Sequence, residues 1–475
     1  MKVLLIKPPP GRVKFCLAGV YPMIPLGLAN MAATLLEAKI DVEILDMHEQ
    51  NMRIDMLPDY LKNKTFDLAG ISCNLFTLRF ADRIAAAIKE HNKNTPVVLG
   101  GISCKSLPPE TIFERNPSID FLVIGEGEYA IVELCKHLND KKQPADVSGL
   151  CFRQDGNVVK NMPRGFIDLD KIPFPAYHLF RSKKYRFHPP FNIYPPVTLL
   201  ETSRGCNFNC NFCSLTNPVR YRSPELVVDD MEKLTRDFGY NEIYIVDPTF
   251  PSDKNRVEEI CKKILEKKLK FKWTCKSRVD TVSPELLKLM SKAGCYMILY
   301  GMETGSQDTL DKLQKHTSIK QIHDCFRWTK DAGIRILAYV MIGGPGETRK
   351  TFEATMGILK KTRPHFVLFG DLLIDPQSAL AHDLMNKKLV TLDTIYNFFA
   401  EGDEKVFESY YFLDIKRKVI LRWEKEAYLR FYFNPRYWIS MIINIKNFRE
   451  LWNIFNGGFL VIRMLLEKFY MRWPE

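Results

Sequence analysis

Along the first third of the chain, short runs that are apolar at every position alternate with stretches whose apolar residues recur every three or four. "KVLLIKPP" gives way to "PLGLANMAATLLEA", then to "DVEILD", "FDLAGISC", "LRFADRIAAAIKEHN", "PVVLGG" and "DFLVIGEGE", which runs into "YAIVELCKHL". A strand that is apolar on both faces must be covered on both, and the helical patterns between the strands supply that cover. Residues 1–150 therefore predict a doubly wound α/β domain built on a parallel sheet. Small residues collect just past the strands, from Gly70 to Ser72, at Gly100 with Gly101, and across Gly125, Glu126 and Gly127. That is the carboxyl edge of the sheet, where such folds bind ligands.

Residues 151–195 are richer in proline and aromatics ("PFPAYHLF", "FHPPFNIYPP") and lose the periodicity, so they read as a linker. From residue 196 the alternation resumes through "VTLLETSRGC", "EIYIVDPTF", "KFKWTCKSRVD", "CYMILYGMETG", "RILAYVMIGGPGE" and "HFVLFGDLLI". Six strand–helix units predict a partial (β/α)6 barrel over residues 196–395, with its site at the carboxyl ends of the strands. Residues 396–475 change character and become helical, aromatic and basic. Two readings stand for this extension: a helical cap packed on the barrel, or an interfacial helix pair with apolar faces in lipid and Lys/Arg at the headgroups.

Composition narrows the setting. A chain of 475 residues exceeds one ordinary core and predicts two or three domains. Only a short apolar run, Val3 to Ile6, precedes Lys7 and the prolines, which fits a buried first strand better than a signal peptide. No segment approaches the roughly 18 uninterrupted apolar residues of a membrane span. Twelve cysteines are too sparse and irregular for a disulfide framework, so a reducing, cytoplasmic setting is expected. The formal charge of +12 suits nucleic acid or an anionic membrane surface, and is equally common in soluble enzymes without such a partner.

The chemistry concentrates in "ETSRGCNFNCNFCSLTN", where Cys206, Cys210 and Cys213 stand close together. Three thiolates are one short of a closed zinc site and one short of the usual ligands of an iron–sulfur cube. Gly205 and the asparagines at 207, 209 and 211 tolerate the tight conformations needed to wrap a cluster. Three cysteines on a [4Fe–4S] cube leave the fourth iron open, and an open iron can chelate the adjacent amine and carboxylate of an amino acid. A zinc loop is the alternative, with no histidine or further cysteine nearby to close it.

CxxxCxxC with an aromatic residue, Phe212, before its last cysteine resembles the signature of the radical S-adenosylmethionine (SAM) superfamily. The resemblance implies that the open iron holds the methionine part of SAM. Reduction then cleaves the sulfonium to methionine and a 5′-deoxyadenosyl radical that takes hydrogen from substrate. It also implies roles for other segments. Asp247 in "YIVDPTF" would meet the SAM amino group, Arg278 in "KSRVD" would lie at the fourth strand end, and Glu303 in "YGMETGS" would reach the ribose hydroxyls. "MIGGPGET" is similar to the turn that approaches adenine, which implicates Gly344, Pro345, Gly346 and Glu347. For each, the alternative is an ordinary strand-end turn or a satisfied buried polar residue.

A doubly wound domain ahead of such a barrel resembles the cobalamin-binding radical SAM class, over nearly the whole chain up to about residue 395. The segments that carry it are "PLGLANMAATLLEA", "AGISCN", "VVLGG" and "VIGEGE". The likeness implies a Rossmann-like cobalamin domain in which Gly100, Gly101, Gly125 and Gly127 let backbone approach the macrocycle. Glu126 lies in the same edge, and Ser72 would donate to the cofactor's side chains or nucleotide tail. Cobalamin proteins that ligate cobalt by histidine carry DxHxxG after the first strand, whereas this loop reads "KPPPGRVKFC". Asp46 and His48 in "DMHEQN" follow the second strand without the glycine, so His48 reads as a solvated turn residue and cobalamin would lack a histidine lower ligand. Cys73 and Cys104 read as small buried hydrophobes.

Two reactions fit this class. A radical SAM methyltransferase would pass a methyl group from methylcobalamin to an unactivated carbon, with a second SAM recharging the cobalt. An oxidoreductase-type rearrangement would resemble the anaerobic magnesium-protoporphyrin monomethyl ester oxidative cyclase group, whose tail pattern is similar to "YLRFYFNPRYWISMIINIKNFRELWNIF". The expected partners are a small-molecule or lipid-like substrate and an electron donor such as a flavodoxin or ferredoxin. Nucleic acid is not expected, and the C-terminal helices are candidates for peripheral membrane contact. A tRNA methylthiotransferase without cobalamin is one alternative, but the first domain lacks a second cysteine triplet and the tail is helical. A non-enzymatic iron–sulfur or cobalamin sensor is another, and it would not need Glu303 and the GGPGE turn.

Overall fold

The protein is described by a computed structural model that covers residues 1–10, 22–180, 184–185, 193–215, 218–401 and 415–443, with six isolated positions between 445 and 458. The chain separates into two compact units. The first holds Met1–Tyr185 with Thr391–Asp403, and the second holds Arg186–Val390 with the described part of the C-terminal extension.

In the first unit, seven strands form one sheet: β1 (Lys2–Lys7), β2 (Asp41–Asp46), β3 (Leu68–Ser72), β4 (Val97–Gly100), β5 (Phe121–Val123), β6 (Leu150–Gln154) and β7 (Asn157–Lys160). Their spatial order is β2-β1-β3-β4-β5-β6-β7. The first five run parallel, and the order reverses between β1 and β3, which makes their carboxyl ends the switch point where this topology takes ligands. The all-apolar strands are explained by burial on both faces. Leu4 and Ile6 join a core with the helices Leu57–Leu61 and Ala81–His91, while Val3 and Leu5 join one with Leu26–Glu37 and Glu128–Asn139.

Two details differ from the sequence reading. The stretch expected to be linker opens with the hairpin β6–β7, which adds two antiparallel strands to the sheet edge. Asp155 and Gly156 both take positive φ, the two-residue turn that Asp-Gly favours between twisted strands. The domain boundary expected at residue 395 also falls inside the helix Leu392–Glu401, which packs on the first unit. There Tyr396 is buried in the core, with the Arg115 guanidinium 4.0 Å from its ring centroid, and Arg115 pairs with Asp393 at 2.6 Å.

The second unit carries a six-stranded parallel sheet of β8 (Val197–Leu200), β11 (Glu242–Ile245), β12 (Lys272–Arg278), β13 (Cys295–Glu303), β14 (Arg335–Ile342) and β15 (Phe366–Asp371), in sequential order from β8 to β15. A separate ribbon pairs β9 (Ser203–Arg204) with β10 (Arg220–Tyr221). Among the described residues β8 and β15 do not pair with each other, so the barrel is partial, as expected. Side chains start the connecting helices: Ser283 accepts from the Leu286 amide, and Ser318 with Gln321 closes a capping box. These caps fix where each strand-end loop stops and so hold the rim on which the site is built.

Of the two readings of the extension, the helix Arg417–Tyr432 takes the first, since it packs on β15. Tyr428 and Tyr432, one helical turn apart, each bridge an amide and a carbonyl of that edge strand. Tyr432 takes both groups of Val367 and Tyr428 both groups of Phe369. An edge strand left bare would invite pairing with another chain, and these hydroxyls occupy it. Among the described residues no helix is long and apolar enough to cross a membrane.

Candidate active site

The cysteine loop leaves β8 at Leu200 and is tied down at both ends. At its start, Asp247 after β11 accepts from the Thr202 amide at 2.7 Å, the Thr202 hydroxyl at 2.5 Å and the Ser203 hydroxyl at 2.6 Å. At its end, the Asn211 amide and side chain donate to the Leu313 and Lys312 carbonyls, and Ser214 donates to Asp375 at 2.9 Å. Within it, the Cys213 amide donates to the Cys210 carbonyl at 3.1 Å, a tight turn between two candidate ligands. Cys210 is buried, while Cys206 and Cys213 are half-buried. No trio of His, Cys, Asp or Glu among the described residues stands at the spacing of one metal ion.

Two cations meet at Cys210. Arg278 Nη1 lies 3.3 Å from its Sγ, and the guanidinium is fixed by a two-pronged pair with Asp280, a 2.6 Å bond to the Lys315 carbonyl, and stacking 3.8 Å from the Phe208 ring centroid. Arg278 ends β12, which is the third strand of the sheet in chain order and not the fourth. Burial raises the Cys210 thiol above its ordinary pKa, and Lys315 and Arg278 oppose that rise. An anionic cluster bound through thiolates needs such compensation, so this donor set fits one.

Lys315 is the residue that sequence reasoning missed. Its Nζ pairs with Glu303 at 2.7 Å in a nearly buried bridge and lies 5.9 Å from the Phe212 ring centroid. Glu303 reaches it from a register shift in β13 between Gly301 and Glu303, where Glu303 takes φ +63°. A bulge of this kind re-aims a strand-end side chain. A methyl group on Gly301 would meet the Glu303 carboxylate and the Lys315 ammonium, so one or both ends of the pair would have to shift. The signal for Lys315 was weak: a lone lysine in "LQKHTS", three residues past the helix Gln307–Lys312. Lys276, two residues before Arg278 on the same strand, was also missed; burial lowers its pKa, and its Nζ lies 5.9 Å from the Tyr244 ring centroid.

The turn after β14 closes on itself. The amides of Gly343 and Gly344 donate to Glu347 Oε2 at 2.5 and 3.2 Å, Pro345 sits between, and Gly346 takes φ +77° against Lys312. Burial pushes the Glu347 carboxyl up to about 7. Asp247, expected at the SAM amino group, is instead committed to the loop: it is 1% exposed, and both oxygens take hydrogen bonds from Thr202 and Ser203.

At the carboxyl edge of the first unit's sheet, Ser72 pairs in register with Gly100, and the Gly100 carbonyl accepts from the Cys73 amide. The glycines there divide by role. A side chain on Gly101, at φ +105°, would collide with the Cys73 carbonyl, and one on Gly127 would press on Met31. Gly100 and Gly125 instead face open space, the cradle a large flat ligand requires. Glu126 accepts from the Ile167 amide at 2.9 Å. His48 corrects the reading of a solvated turn histidine. Asp46 caps the turn by accepting from the His48 and Glu49 amides, and the imidazole is folded in, 7% exposed. Burial, with Lys7 nearby, lowers its pKa to about 4. Cys73 and Cys104 are buried, as expected.

Comparison with known proteins places this architecture. The radical SAM superfamily profile matches residues 200–359, and the B12 binding domain profile matches residues 16–135. An uncharacterized methyltransferase of Pyrococcus horikoshii is 31% identical over 99% of this chain and 99% of its own. The anaerobic magnesium-protoporphyrin IX monomethyl ester cyclase of Rubrivivax gelatinosus is 28% identical over 84% of this chain and 72% of that protein. The solved structure of the cobalamin-dependent SAM radical enzyme OxsB with aqua-cobalamin shares the fold, at a TM-score of 0.69 and 18% identity, over 98% of this chain and 80% of that one. The chain belongs to the radical SAM superfamily. Within it, the chain is an enzyme of the group that places a B12-binding domain before the radical SAM domain.

Proposed function

We propose that this enzyme is a cobalamin-dependent radical SAM methyltransferase acting on an unactivated carbon of a small organic substrate. The observation that carries the reading is the anchored loop of Cys206, Cys210 and Cys213 with Arg278 and Lys315 converging on Cys210. The full-length likeness to a methyltransferase supports methyl transfer over other outcomes. When bound, a [4Fe–4S] cluster with SAM supplies a primary carbon radical, and cobalamin supplies a methyl carrier.

The chain's own residues do the rest. Cys206, Cys210 and Cys213 hold the cluster, while Arg278 and Lys315 offset its negative charge. Glu303, steered by Lys315, is placed to accept from the ribose hydroxyls, and the turn Gly344–Pro345–Gly346 presents backbone to the adenine. Gly100 and Gly125 leave room for the macrocycle, with Ser72 as a donor at its edge. A flavodoxin or ferredoxin would deliver the electron.

The test is anaerobic reconstitution with iron, sulfide and hydroxocobalamin, desalting, and assay of both metals. About four irons and one cobalamin per chain are expected. Incubation with SAM and a reductant should then yield 5′-deoxyadenosine together with S-adenosylhomocysteine, the mark of methyl recharging. Iron without cobalamin overturns the two-cofactor reading. 5′-Deoxyadenosine without S-adenosylhomocysteine turns the assignment towards rearrangement, the class of the cyclase relative.

A further inference from the structure

Lys276 has no task in the chemistry derived above. It stands on β12 two residues before Arg278, so both side chains leave the same face of the strand. Cys275 beside it points the other way: it is fully buried and lies near Cys261 of the helix Lys254–Glu266. Lys276 therefore faces the side of the sheet away from that helix.

That side is concave. Tyr244 on β11 and Tyr339 on β14 share a side-chain hydrogen bond, although β12 and β13 run between them. Three strand spacings amount to about 14 Å in a flat sheet, a gap that two upright phenols could not bridge, so the sheet curls around a lumen. The lumen face is also open. Along β14 and β15, Ala338, Val340, Val367 and Phe369 are buried, whereas Tyr339, Met341 and Leu368 between and beside them are half-exposed.

Lys276 enters this lumen among apolar neighbours. Leu299 is its partner in register on β13, and Leu337 continues the row on β14. Its chain is half-buried, and its ammonium makes no hydrogen bond and no ion pair among the described residues; the Tyr244 ring lies 5.9 Å away. Asp247 acts on it through space, but its oxygens are taken by Thr202 and Ser203, and burial outweighs its pull and lowers the Lys276 pKa. An ammonium in such a place works against folding unless a ligand supplies the counter-charge. Arg278, the other cation on this face of β12, is committed to Cys210 and Asp280. One available cation matches a singly charged group.

We propose that Lys276 is a substrate-binding residue whose ammonium receives a carboxylate of the organic substrate in the barrel lumen, beside the Tyr244–Tyr339 pair. The inference rests on the reading of this site as one that acts on a small organic substrate, and adds that the substrate is a carboxylic acid.

The test is trace amidination of the reconstituted full chain with methyl acetimidate, without reductant, read lysine by lysine by peptide mass spectrometry. Only the neutral amine reacts, so a bound carboxylate slows Lys276 both by covering it and by restoring its charge. Succinate is the probe. It should slow Lys276 by about tenfold, the effect of raising its pKa by one unit, and leave exposed Lys93 unaffected. Neutral succinamide should do nothing. No slowing by succinate, or equal slowing by succinamide, overturns the proposal. Slowing by SAM alone would assign Lys276 to the cofactor's own carboxylate, and slowing by inorganic phosphate but not succinate would assign it to a phosphate ester; either result overturns it too.

Lys276→Met supplies a second reading. Removing a charge that the fold does not neutralise should keep or raise the melting temperature and abolish the heat of succinate binding in calorimetry. A lowered melting temperature would make the lysine structural and overturn the proposal. Iron and cobalamin are assayed separately, and amidination needs neither, so a failure of the two-cofactor reading is distinguishable from a failure at Lys276.

Discussion

Arg278 reaches Cys210: its Nη1 stands 3.3 Å from the sulfur, and Asp280, the Lys315 carbonyl and the Phe208 ring leave the guanidinium little freedom to move elsewhere. A cation fixed beside a cluster thiolate stabilises the reduced, more negative state, and hydrogen bonds to sulfur raise a cluster's potential. Arg278→Gln should therefore assemble a cluster whose reduction potential is lower by on the order of 50 mV, the equivalent of about one charge-assisted bond. Arg278→Lys, which keeps the charge but loses the fork and the stacking, should fall between. A redox titration followed by electron paramagnetic resonance reads this. An unchanged potential in a fully iron-loaded Arg278→Gln protein would remove the residue from the cluster's electrostatics.

The Lys315–Glu303 bridge is nearly buried on both sides. Removing the lysine strands a carboxylate in a site built for a pair, which costs about 3–5 kcal/mol, far more than the pair itself contributes. Lys315→Met should be strongly destabilising, and Glu303→Gln/Lys315→Met should recover part of the loss. A double-mutant cycle by denaturant unfolding should give a coupling of about 1–3 kcal/mol. Additive effects would mean that the two groups do not share one electrostatic site.

How much of this was legible beforehand depends on the range of the interaction. The all-apolar strands, the small residues at their ends and the cysteine spacing are local signals, and they led directly to the two sheets and to the loop. Lys315 lies 102 residues beyond Cys213 in the chain, on a segment where Gln314 and His316 both take positive φ, so only the folded path brings it to Glu303 and Phe212. Asp247 was recognised as a strand-end carboxylate, but whether it faces outward or locks Thr202 and Ser203 is a side-chain choice that no spacing encodes. The helix Leu392–Glu401 has an amphipathic pattern that says it packs, and only Tyr396 in the core of the first unit says against what. The Asp155–Gly156 turn was readable from its residue types and was lost inside a proline-rich stretch.

Gly100 and Gly101 are neighbours with opposite expectations. Alanine at Gly101 must adopt φ +105° and meet the Cys73 carbonyl, so Gly101→Ala should lower stability by about 2 kcal/mol or more. Gly100→Leu projects into open space at the same sheet edge. It should leave the melting temperature nearly unchanged and abolish retention of hydroxocobalamin after desalting. Full retention by Gly100→Leu would place the macrocycle elsewhere.

Glu347 makes the barrel's stability depend on pH with a predictable sign. Its carboxyl is 3% exposed, and burial lifts its pKa from 4.5 to about 7, against the pull of the Gly343 and Gly344 amides. Between those two values the folded protein keeps a proton that the unfolded chain releases. This contribution is thus fully present below about pH 4.5 and is lost as pH rises through about 7. At about 1.4 kcal/mol per pKa unit the swing is roughly 3 kcal/mol. Glu347→Gln keeps an oxygen for both amides and cannot titrate, so wild-type stability measured relative to it should decline across that window. His48, with its pKa lowered to about 4, acts in the opposite sense, losing stability as pH falls from about 6.5, and it lies in the other unit. It is common to both proteins and drops out of the difference. A wild-type minus Glu347→Gln difference that stays flat from about pH 4.5 to 7 would mean that the turn holds its carboxylate charged, and that the two glycine amides outweigh its burial.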